Sequence, residues 1–281
     1  MVSVRASSLA VNGLRAPLLE AGPAGAAEAV VFVHGNPGSS QDWLPLVAEV
    51  GTFARAVAFD QPGYGGADKP TDFDYTVDGY AAHLGGALEQ LGVEHAHLVL
   101  HDFGGPWGLA WAAEHPDAFR SVVLINTGVF LGYRWHLLAR IWRTPVLGEL
   151  FMATTTRVAW RMILRAGNRR PLPREFVDRM YDDFDSETKR AVLRLYRATD
   201  DPAGLSTELA AELRPLDRPA LVVWGRHDPY IPVAVAERQV EVFPSVETVL
   251  LDAGHWPFVT HAEDAEAAVI PFLERVTTGG A

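Results

Sequence analysis

The stretch LVLHDFGGP, Leu98–Pro106, lies just over a third of the way along the chain. Its apolar half is typical of a buried strand, and the Gly-Gly pair that follows favours a sharp turn into a helix. A carboxylate at such a turn is costly to bury unless it is paired or used. Asp102 is therefore a candidate functional residue, and its partners should lie at the ends of other strands.

The composition restricts the class of protein. The chain has 281 residues, 48% of them hydrophobic and 21% charged, which is ordinary for a large globular domain with a smaller insertion. The absence of cysteine excludes disulfides, thiolate metal sites and a cysteine nucleophile. A net charge of −11 argues against a nucleic-acid partner. Apolar runs fall short of the ~18–20 residues that cross a bilayer, and no signal-peptide pattern opens the chain. We therefore expect a cytoplasmic protein that does not bind membranes.

Strand and helix patterns alternate along most of the chain. The Asn-Gly pair at 12–13 stands between two strand patterns and predicts a hairpin. Continuous apolar strands such as AVVFV and HLVL alternate with helical patterns, which predicts an α/β fold, a mostly parallel sheet with helices on both faces. The alternation breaks between 129 and 213, where helical patterns follow one another over a length too great for a loop. We therefore predict a core domain of residues 1–128 and 214–281 and an inserted helical cap at 129–213.

Charge is uneven along the predicted cap. Residues 130–174 contain nine arginines and one acidic residue, Glu149. A solvated helical face that balances the acidic remainder of the chain would account for this excess. The alternative interpretation is a surface that attracts an anionic ligand or an acidic partner. The sequence leaves both interpretations open.

Polar residues follow four of the predicted strands. Asp102 follows LVLH, a His-Gly-Asn loop at 34–36 follows VVFV, Asp228 follows LVVWGRH, and His255 follows VLLDAG. Ligands of open α/β sheets bind at the carboxyl ends of the strands, so these side chains are expected to share one site. Their order along the chain is a carboxylate at an elbow, then an acid, then a histidine. This is the nucleophile–acid–histidine order of α/β-hydrolases.

Five motifs resemble the α/β-hydrolase group that contains epoxide hydrolases and haloalkane dehalogenases. They span nearly the whole chain: HGNPGSSQDW at 34–43, DQPGYGGADKP at 60–70, HDFGGPWG at 101–108, GRHDPYIP at 225–232 and GHWPF at 254–258. The resemblance implies an α/β-hydrolase fold with a helical cap. One departure is Leu100, because the serine members of the fold place glycine two residues before the nucleophile. A leucine there is expected to crowd the turn.

The resemblance implies that Asp102 is the nucleophile. A carboxylate can displace a leaving group at saturated carbon, and the product is an ester on the enzyme. His255 would then activate the water that hydrolyses this ester, and Asp228 would orient the histidine. The oxyanion donors implied by the resemblance are the backbone N–H groups of Phe103 and Asn36.

The remaining residues of the first loop are expected to be structural. His34, Gly35 and Pro37 would shape the loop that carries the oxyanion donor, and His34 suits this role better than that of a second base. No metal and no cofactor are expected, because no HExxH-type spacing occurs and the acids and histidine already have roles. The predicted partners are a small apolar organic substrate and water, and the predicted assembly is a monomer or a homodimer.

The residue after the nucleophile argues against a dehalogenase. Haloalkane dehalogenases usually place tryptophan there as a halide donor, and fluoroacetate dehalogenases place arginine. The chain has Phe103, whose side chain has no donor. Trp107 or Trp135 could substitute, although neither occupies the expected position.

Tyrosines of the predicted cap favour an epoxide hydrolase. In that family, cap tyrosines protonate the alkoxide that forms as the epoxide opens. The segment RLYRATDD resembles the motif that carries one of them, which maps to Tyr196, and Tyr133 and Tyr181 are the other cap tyrosines. An epoxide hydrolase is therefore the first choice and a haloalkane dehalogenase the second. A carboxylic-ester hydrolase and a non-catalytic binding protein on the same fold are the remaining alternatives.

Overall fold

A computed structural model of the chain describes residues 3–166, 168 and 170–279. Its centre is one eight-stranded sheet with the order β1-β2-β4-β3-β5-β6-β7-β8. The strands are β1 (Arg5–Val11), β2 (Leu14–Ala21), β3 (Glu28–Val33), β4 (Ala56–Phe59), β5 (His95–His101), β6 (Phe119–Ile125), β7 (Ala220–Gly225) and β8 (Glu247–Leu251).

The sheet is parallel except at one strand. β2 is antiparallel to both of its neighbours, β1 and β4. The other neighbouring strands, β4, β3, β5, β6, β7 and β8 in their order across the sheet, pair in parallel. The predicted Asn-Gly turn joins β1 to β2, with φ of 51° at Asn12 and 82° at Gly13, the positive values that such two-residue turns need. β3, β5, β6 and β7 are buried along nearly their whole length, as expected of strands covered on both faces. The predicted mostly parallel α/β sheet is confirmed.

Helices enclose the sheet and fill the long interval between β6 and β7. They are α1 (Leu44–Val50), α2 (Val77–Gln90), α3 (Gly104–Glu114), α4 (Leu137–Arg143), α5 (Leu147–Thr154), α6 (Arg157–Ala166), α7 (Arg174–Asp183), α8 (Ser186–Ala198), α9 (Pro202–Leu213), α10 (Ala234–Glu237), α11 (Pro257–Thr260) and α12 (Ala262–Thr277). α2 packs against α3, and α1 packs against α12, so two helical layers cover the sheet.

The segment between β6 and β7 contains α4 to α9, and the described residues of 129–213 include no strand. Ion pairs connect this helical segment to the rest of the protein. Arg179 of α7 lies 2.6 Å from the buried carboxylate of Asp42, and Lys69 lies 2.7 Å from Asp185 at the start of α8. These contacts hold the helical segment over the carboxyl edge of the sheet.

Much of the arginine excess is balanced locally. Four arginines pair with carboxylates that follow residue 174 in the same segment: Arg143, Arg157, Arg161 and Arg174. Exposed pairs of this kind contribute little stability, about 0–1 kcal/mol each. The pairing supports the first interpretation, a solvated helical face, over a surface built to attract an anion.

Candidate active site

Asp102 stands on a sharp elbow between β5 and α3. Its φ is +49°, in the left-handed region that residues other than glycine rarely occupy. The Thr127 hydroxyl donates to the Asp102 carbonyl oxygen over 2.5 Å, and the Gly105 N–H donates to the same oxygen over 3.0 Å. These hydrogen bonds offset the cost of the strained conformation, which turns the Asp102 side chain toward the loop after β3.

The elbow has room for Leu100. A Cβ at Gly108, one turn into α3, would lie 2.5 Å from Leu100 Cδ2. Serine enzymes of this fold gain space from a glycine before the nucleophile. Here the space comes from a glycine on the facing helix, so the expected crowding of the turn is relieved from the other side.

Contacts of the His255 ring connect Asp102 to Asp228. The His255 Nδ1–H donates to Asp228 Oδ2 over 2.7 Å, and His255 Nε2 lies 3.4 Å from Asp102 Oδ2. The Asp228 side chain is fully buried, and its Oδ1 accepts the N–H groups of Tyr230 at 2.7 Å and Ile231 at 3.0 Å. The carboxylate of Asp228 is therefore fixed, and it fixes the orientation of the imidazole.

The charges of these residues depend on one another. Burial lowers the pKa of His255, but the carboxylates of Asp228 and Asp102 outweigh burial and raise that pKa to about 10. Burial raises the pKa of Asp102, but the hydrogen bond and charge of His255, with the Asn36 N–H, hold it below its usual value. At neutral pH the site therefore contains an imidazolium between two carboxylates. This histidine can act as a base only after one carboxylate has lost its charge.

The loop after β3 touches the Asp102 carboxylate. The Asn36 N–H donates to Asp102 Oδ1 over 2.7 Å. A Cβ at Gly35 would lie 2.3 Å from Asp102 Cβ, so only glycine allows the loop to approach this closely. Burial lowers the pKa of His34, and the neutral ring accepts the Gln61 N–H at Nε2 over 2.9 Å. These positions suit the structural roles expected for His34 and Gly35.

A cavity opens at Asp102, between the carboxyl edge of the sheet and the helical segment. Its volume is about 920 Å³, including the space at the opening to solvent. Asn36, Pro37, Phe103 and His255 line it beside Asp102. Most of its wall is apolar: Phe130, Trp135, Leu138, Trp142, Trp160, Ile163, Leu164, Leu205, Leu209, Ile231 and Trp256. This size and lining suit a small apolar organic molecule.

Two of the three tyrosines of the helical segment line the cavity, Tyr196 and Tyr133. Burial and the Asp102 charge raise the pKa of Tyr196 well above its usual value, although the adjacent Asn36 side chain lowers it. Tyr196 is therefore a neutral phenol near the Asp102 carboxylate. The Tyr133 hydroxyl donates to the Tyr230 carbonyl oxygen over 3.2 Å, so its proton is already engaged.

The structure corrects the expectation that Tyr181 and Trp107 contact the substrate, because neither residue lines the cavity. The Tyr181 hydroxyl donates to the Thr155 carbonyl oxygen over 3.4 Å, and the Arg157 guanidinium lies 4.7 Å from the Tyr181 ring centroid. Trp107 is fully buried and stacks on Tyr80 with ring centroids 4.1 Å apart. The packing of their helices turns Tyr181 toward α6 and Trp107 toward α2.

Two polar residues of the site escape the sequence patterns. Asn126 donates from Nδ2 to Asp228 Oδ2 over 2.7 Å, and its Oδ1 accepts the Gly225 N–H over 2.9 Å. Asn126 follows β6 as Asp102 follows β5, so its position at a strand end could have indicated a site residue. Its side chain is an uncharged amide, however, and the catalytic side chains predicted at the strand ends were carboxylates and a histidine. His136 lines the cavity from the start of α4 and follows no strand.

The described residues contain no group of three or more histidine, aspartate or glutamate side chains arranged to hold a metal ion. Within the same residues, no helix combines the length and the hydropathy that a membrane span requires.

Comparison with known proteins identifies the family. Residues 28–262 match the family described as alpha/beta hydrolase fold. A cis-3-alkyl-4-alkyloxetan-2-one decarboxylase from Xanthomonas campestris is 29% identical over 288 residues, covering 94% of this chain and 93% of that protein.

Solved structures give the same fold. A haloalkane dehalogenase from Agrobacterium tumefaciens superposes with a TM-score of 0.84 at 22% identity, over 98% of this chain and 97% of that one. Epoxide hydrolase A from Mycobacterium thermoresistibile gives a TM-score of 0.81 at 23% identity, over 96% and 98%. At such identities the likeness shows the fold alone. The family match extends over most of the length of this chain, and the chain therefore belongs to the α/β-hydrolase family.

Proposed function

We propose that this protein is a hydrolase that opens epoxides through a covalent ester on Asp102. The position of the Asp102 carboxylate carries the proposal. Its Oδ1 accepts the Asn36 N–H at 2.7 Å, its Oδ2 lies 3.4 Å from His255 Nε2, and it borders an apolar cavity that Tyr196 also lines. A charged carboxylate in such a cavity is well placed to attack a saturated carbon.

In the first step, an Asp102 oxygen bonds to an epoxide carbon while the ring carbon–oxygen bond breaks. The departing oxygen takes the proton of the Tyr196 phenol and becomes a hydroxyl group. Esterification removes the negative charge of Asp102, so the pKa of His255 falls. The proton that His255 then releases restores the phenol, and the imidazole is left neutral beside Asp228.

In the second step, the neutral His255 accepts a proton from water as the water oxygen attacks the ester carbonyl. The backbone N–H groups of Asn36 and Phe103 are the proposed donors to the tetrahedral oxyanion. When the intermediate collapses, the Asp102–alkyl oxygen bond breaks, and the departing oxygen takes the proton of the new carboxylic acid. The diol leaves, and the imidazolium between two carboxylates is restored.

Haloalkane dehalogenation is the second candidate, and one observation favours it. Trp135 lines the cavity, its ring centroid lies 6.2 Å from that of Phe103, and its buried Nε1–H has no acceptor among the described residues. An indole N–H of this kind could bind a halide, although it lies on the helical segment rather than after the nucleophile. Halide needs only such donors and no proton, so Tyr196 would be dispensable.

The named activity of the Xanthomonas relative supports the first candidate. An oxetan-2-one is a strained ring that contains oxygen, as an epoxide is, and opening either ring places negative charge on oxygen. A cavity with a carboxylate and a neutral phenol suits such electrophiles better than it suits alkyl halides. In this proposal, residues 129–213 act as a cap domain that closes the cavity over the core formed by 1–128 and 214–281.

Turnover of matched substrates in labelled water tests the proposal. The protein is assayed with 1,2-epoxyhexane for diol and with 1-bromohexane for bromide, and Asp102→Ala is the inactive control. We expect diol from the epoxide and little bromide. A single turnover in oxygen-18 water should place label in the Asp102 side chain, because water attacks the carbonyl of the enzyme ester. Label found only in the diol would exclude the ester, and rapid bromide release without diol would favour the dehalogenase.

A further inference from the structure

A histidine that the proposed mechanism does not use lines the same cavity. The ring of His136 lies between two cavity tyrosines, with its centroid 5.3 Å from that of Tyr230 and 6.4 Å from that of Tyr196. Tyr230 packs in turn on the His255 ring at 5.1 Å. His136 is thus separated from His255 by one aromatic ring, close enough to contact a bound substrate.

A hydrogen bond to Nδ1 determines which ring nitrogen of His136 carries a proton. The Ala139 N–H donates to His136 Nδ1 over 3.2 Å, so Nδ1 is an acceptor. Burial lowers the pKa of His136 to about 4, which leaves the ring neutral at pH 7. A neutral imidazole that accepts at Nδ1 carries its proton on Nε2. This N–H has no acceptor among the described residues.

The cavity that His136 lines is mostly apolar. The same stretch of chain contributes Phe130, Trp135, Leu138 and Trp142 to the cavity wall. A substrate that displaces water from this region must either accept a hydrogen bond from Nε2 or leave the N–H unpaired, which costs free energy. A purely hydrocarbon substrate has no atom that could accept it.

We propose that His136 is a specificity-determining residue whose Nε2–H binds an oxygen acceptor of the substrate. The preferred substrates are then epoxides that carry an ether or ester oxygen near the ring, rather than hydrocarbon epoxides. The choice of electrophile rests on the proposed function, whereas the acceptor follows from the cavity itself. Because His136 lies beside Tyr196 and Tyr230, the acceptor is expected a few bonds from the attacked carbon.

A matched pair of substrates measures this selectivity. Phenyl glycidyl ether and 4-phenyl-1,2-epoxybutane differ by one ether oxygen in place of a CH₂ group. His136→Asn retains an oxygen that can cap the Ala139 N–H, but its shorter side chain withdraws the ring N–H from the cavity. The ratio of kcat/KM values, ether over hydrocarbon, should fall about 2- to 12-fold in this variant, the range that one net hydrogen bond supplies.

Leu138→Ala is the matched control. It enlarges the same cavity without changing a polar group, so it should change both rates together and keep the wild-type ratio. The comparison with wild type cancels the intrinsic difference in reactivity between the two epoxides. An unchanged ratio in His136→Asn would overturn the proposal.

Equilibrium binding keeps this test separate from catalysis. The two corresponding diols, 3-phenoxy-1,2-propanediol and 4-phenyl-1,2-butanediol, are titrated by calorimetry into wild type and His136→Asn. If neither epoxide is turned over but the phenoxy diol loses its advantage only in the variant, the epoxide assignment fails and the role of His136 stands. If wild type and His136→Asn prefer the phenoxy diol over the phenyl diol by the same ratio of Kd values, the role of His136 is overturned. Nitrogen-15 NMR that places the His136 proton on Nδ1 would overturn it as well.

Discussion

Replacing Tyr196 by phenylalanine should slow epoxide opening and leave the fold almost unchanged. The side chain is 3% exposed, and its ring centroid lies 5.0 Å from that of Phe103, 5.2 Å from Trp135 and 4.9 Å from Trp142. Phenylalanine keeps these ring contacts. The change removes the hydroxyl, whose polar neighbour in the protein is the Asn36 side chain.

The expected magnitude follows from what the hydroxyl does for the leaving group. Burial and the charge of Asp102 keep the pKa of Tyr196 well above its usual value, so the phenol is protonated when the alkoxide forms. Losing one donor at a developing oxyanion costs about 10²–10³ in rate, or roughly 3–4 kcal/mol. Phenylalanine retains the ring packing against Phe103, Trp135 and Trp142, so the variant should remain folded.

The assay follows the first step alone. Single turnovers with an epoxide are stopped by rapid quench, and the Asp102 ester is measured by intact mass. Tyr181→Phe is the matched control, because its hydroxyl is bonded to the Thr155 carbonyl oxygen outside the cavity, and it should react at the wild-type rate. A folded Tyr196→Phe that forms ester as fast as wild type would refute the reasoning. A loss confined to Tyr133→Phe would transfer the role to that residue.

The remaining predictions test the rest of the site. His255→Gln should form the ester but fail to hydrolyse it, because the base that activates water is lost; a folded variant without a persistent adduct in intact mass would contradict this role. Gly35→Ala places a Cβ 2.3 Å from Asp102 Cβ, so the carboxylate must move, and ester formation should slow roughly 10²-fold; an unchanged single-turnover rate would show that its position is not critical. Asn126→Leu removes a donor at 2.7 Å from Asp228, and urea unfolding should show a loss of about 1–3 kcal/mol; a midpoint equal to that of wild type would exclude the supporting role. The raised pKa of His255 contributes stability that is fully present below about pH 6.5 and is lost as the pH rises through about 10. The wild-type free energy of unfolding should therefore fall more steeply than that of His255→Gln between pH 7 and 10, and parallel pH profiles would count against the charged pair.

The sequence alone was enough to predict the sheet and the proximity of three residues. Apolar runs that end in turn residues mark buried strands, and Asp102, Asp228 and His255 each follow such a run. Parallel strands bring their carboxyl ends to one edge of a sheet, so alternation by itself predicts that these side chains meet. The spacing of the five motifs further predicted the α/β-hydrolase family and the order of the three residues along the chain, a carboxylate at the elbow, then an acid, then a histidine. Asn126 stood at an equivalent position, but only the folded contact with Asp228 at 2.7 Å reveals what it does.

Only the tertiary structure decided which side chains of the helices reach the cavity. Tyr196 and His136 line it, whereas Tyr181 and Trp107 face other helices, and no local pattern separates the two groups. The direction of a strand is set by backbone pairing, and its side chains alternate between two faces with a period that the sequence displays. The rotation of a helix about its axis results instead from the ridges and grooves of every element packed against it. For that reason the positions of Asp102, Asp228 and His255 could be predicted from the sequence, and the walls of the cavity could not.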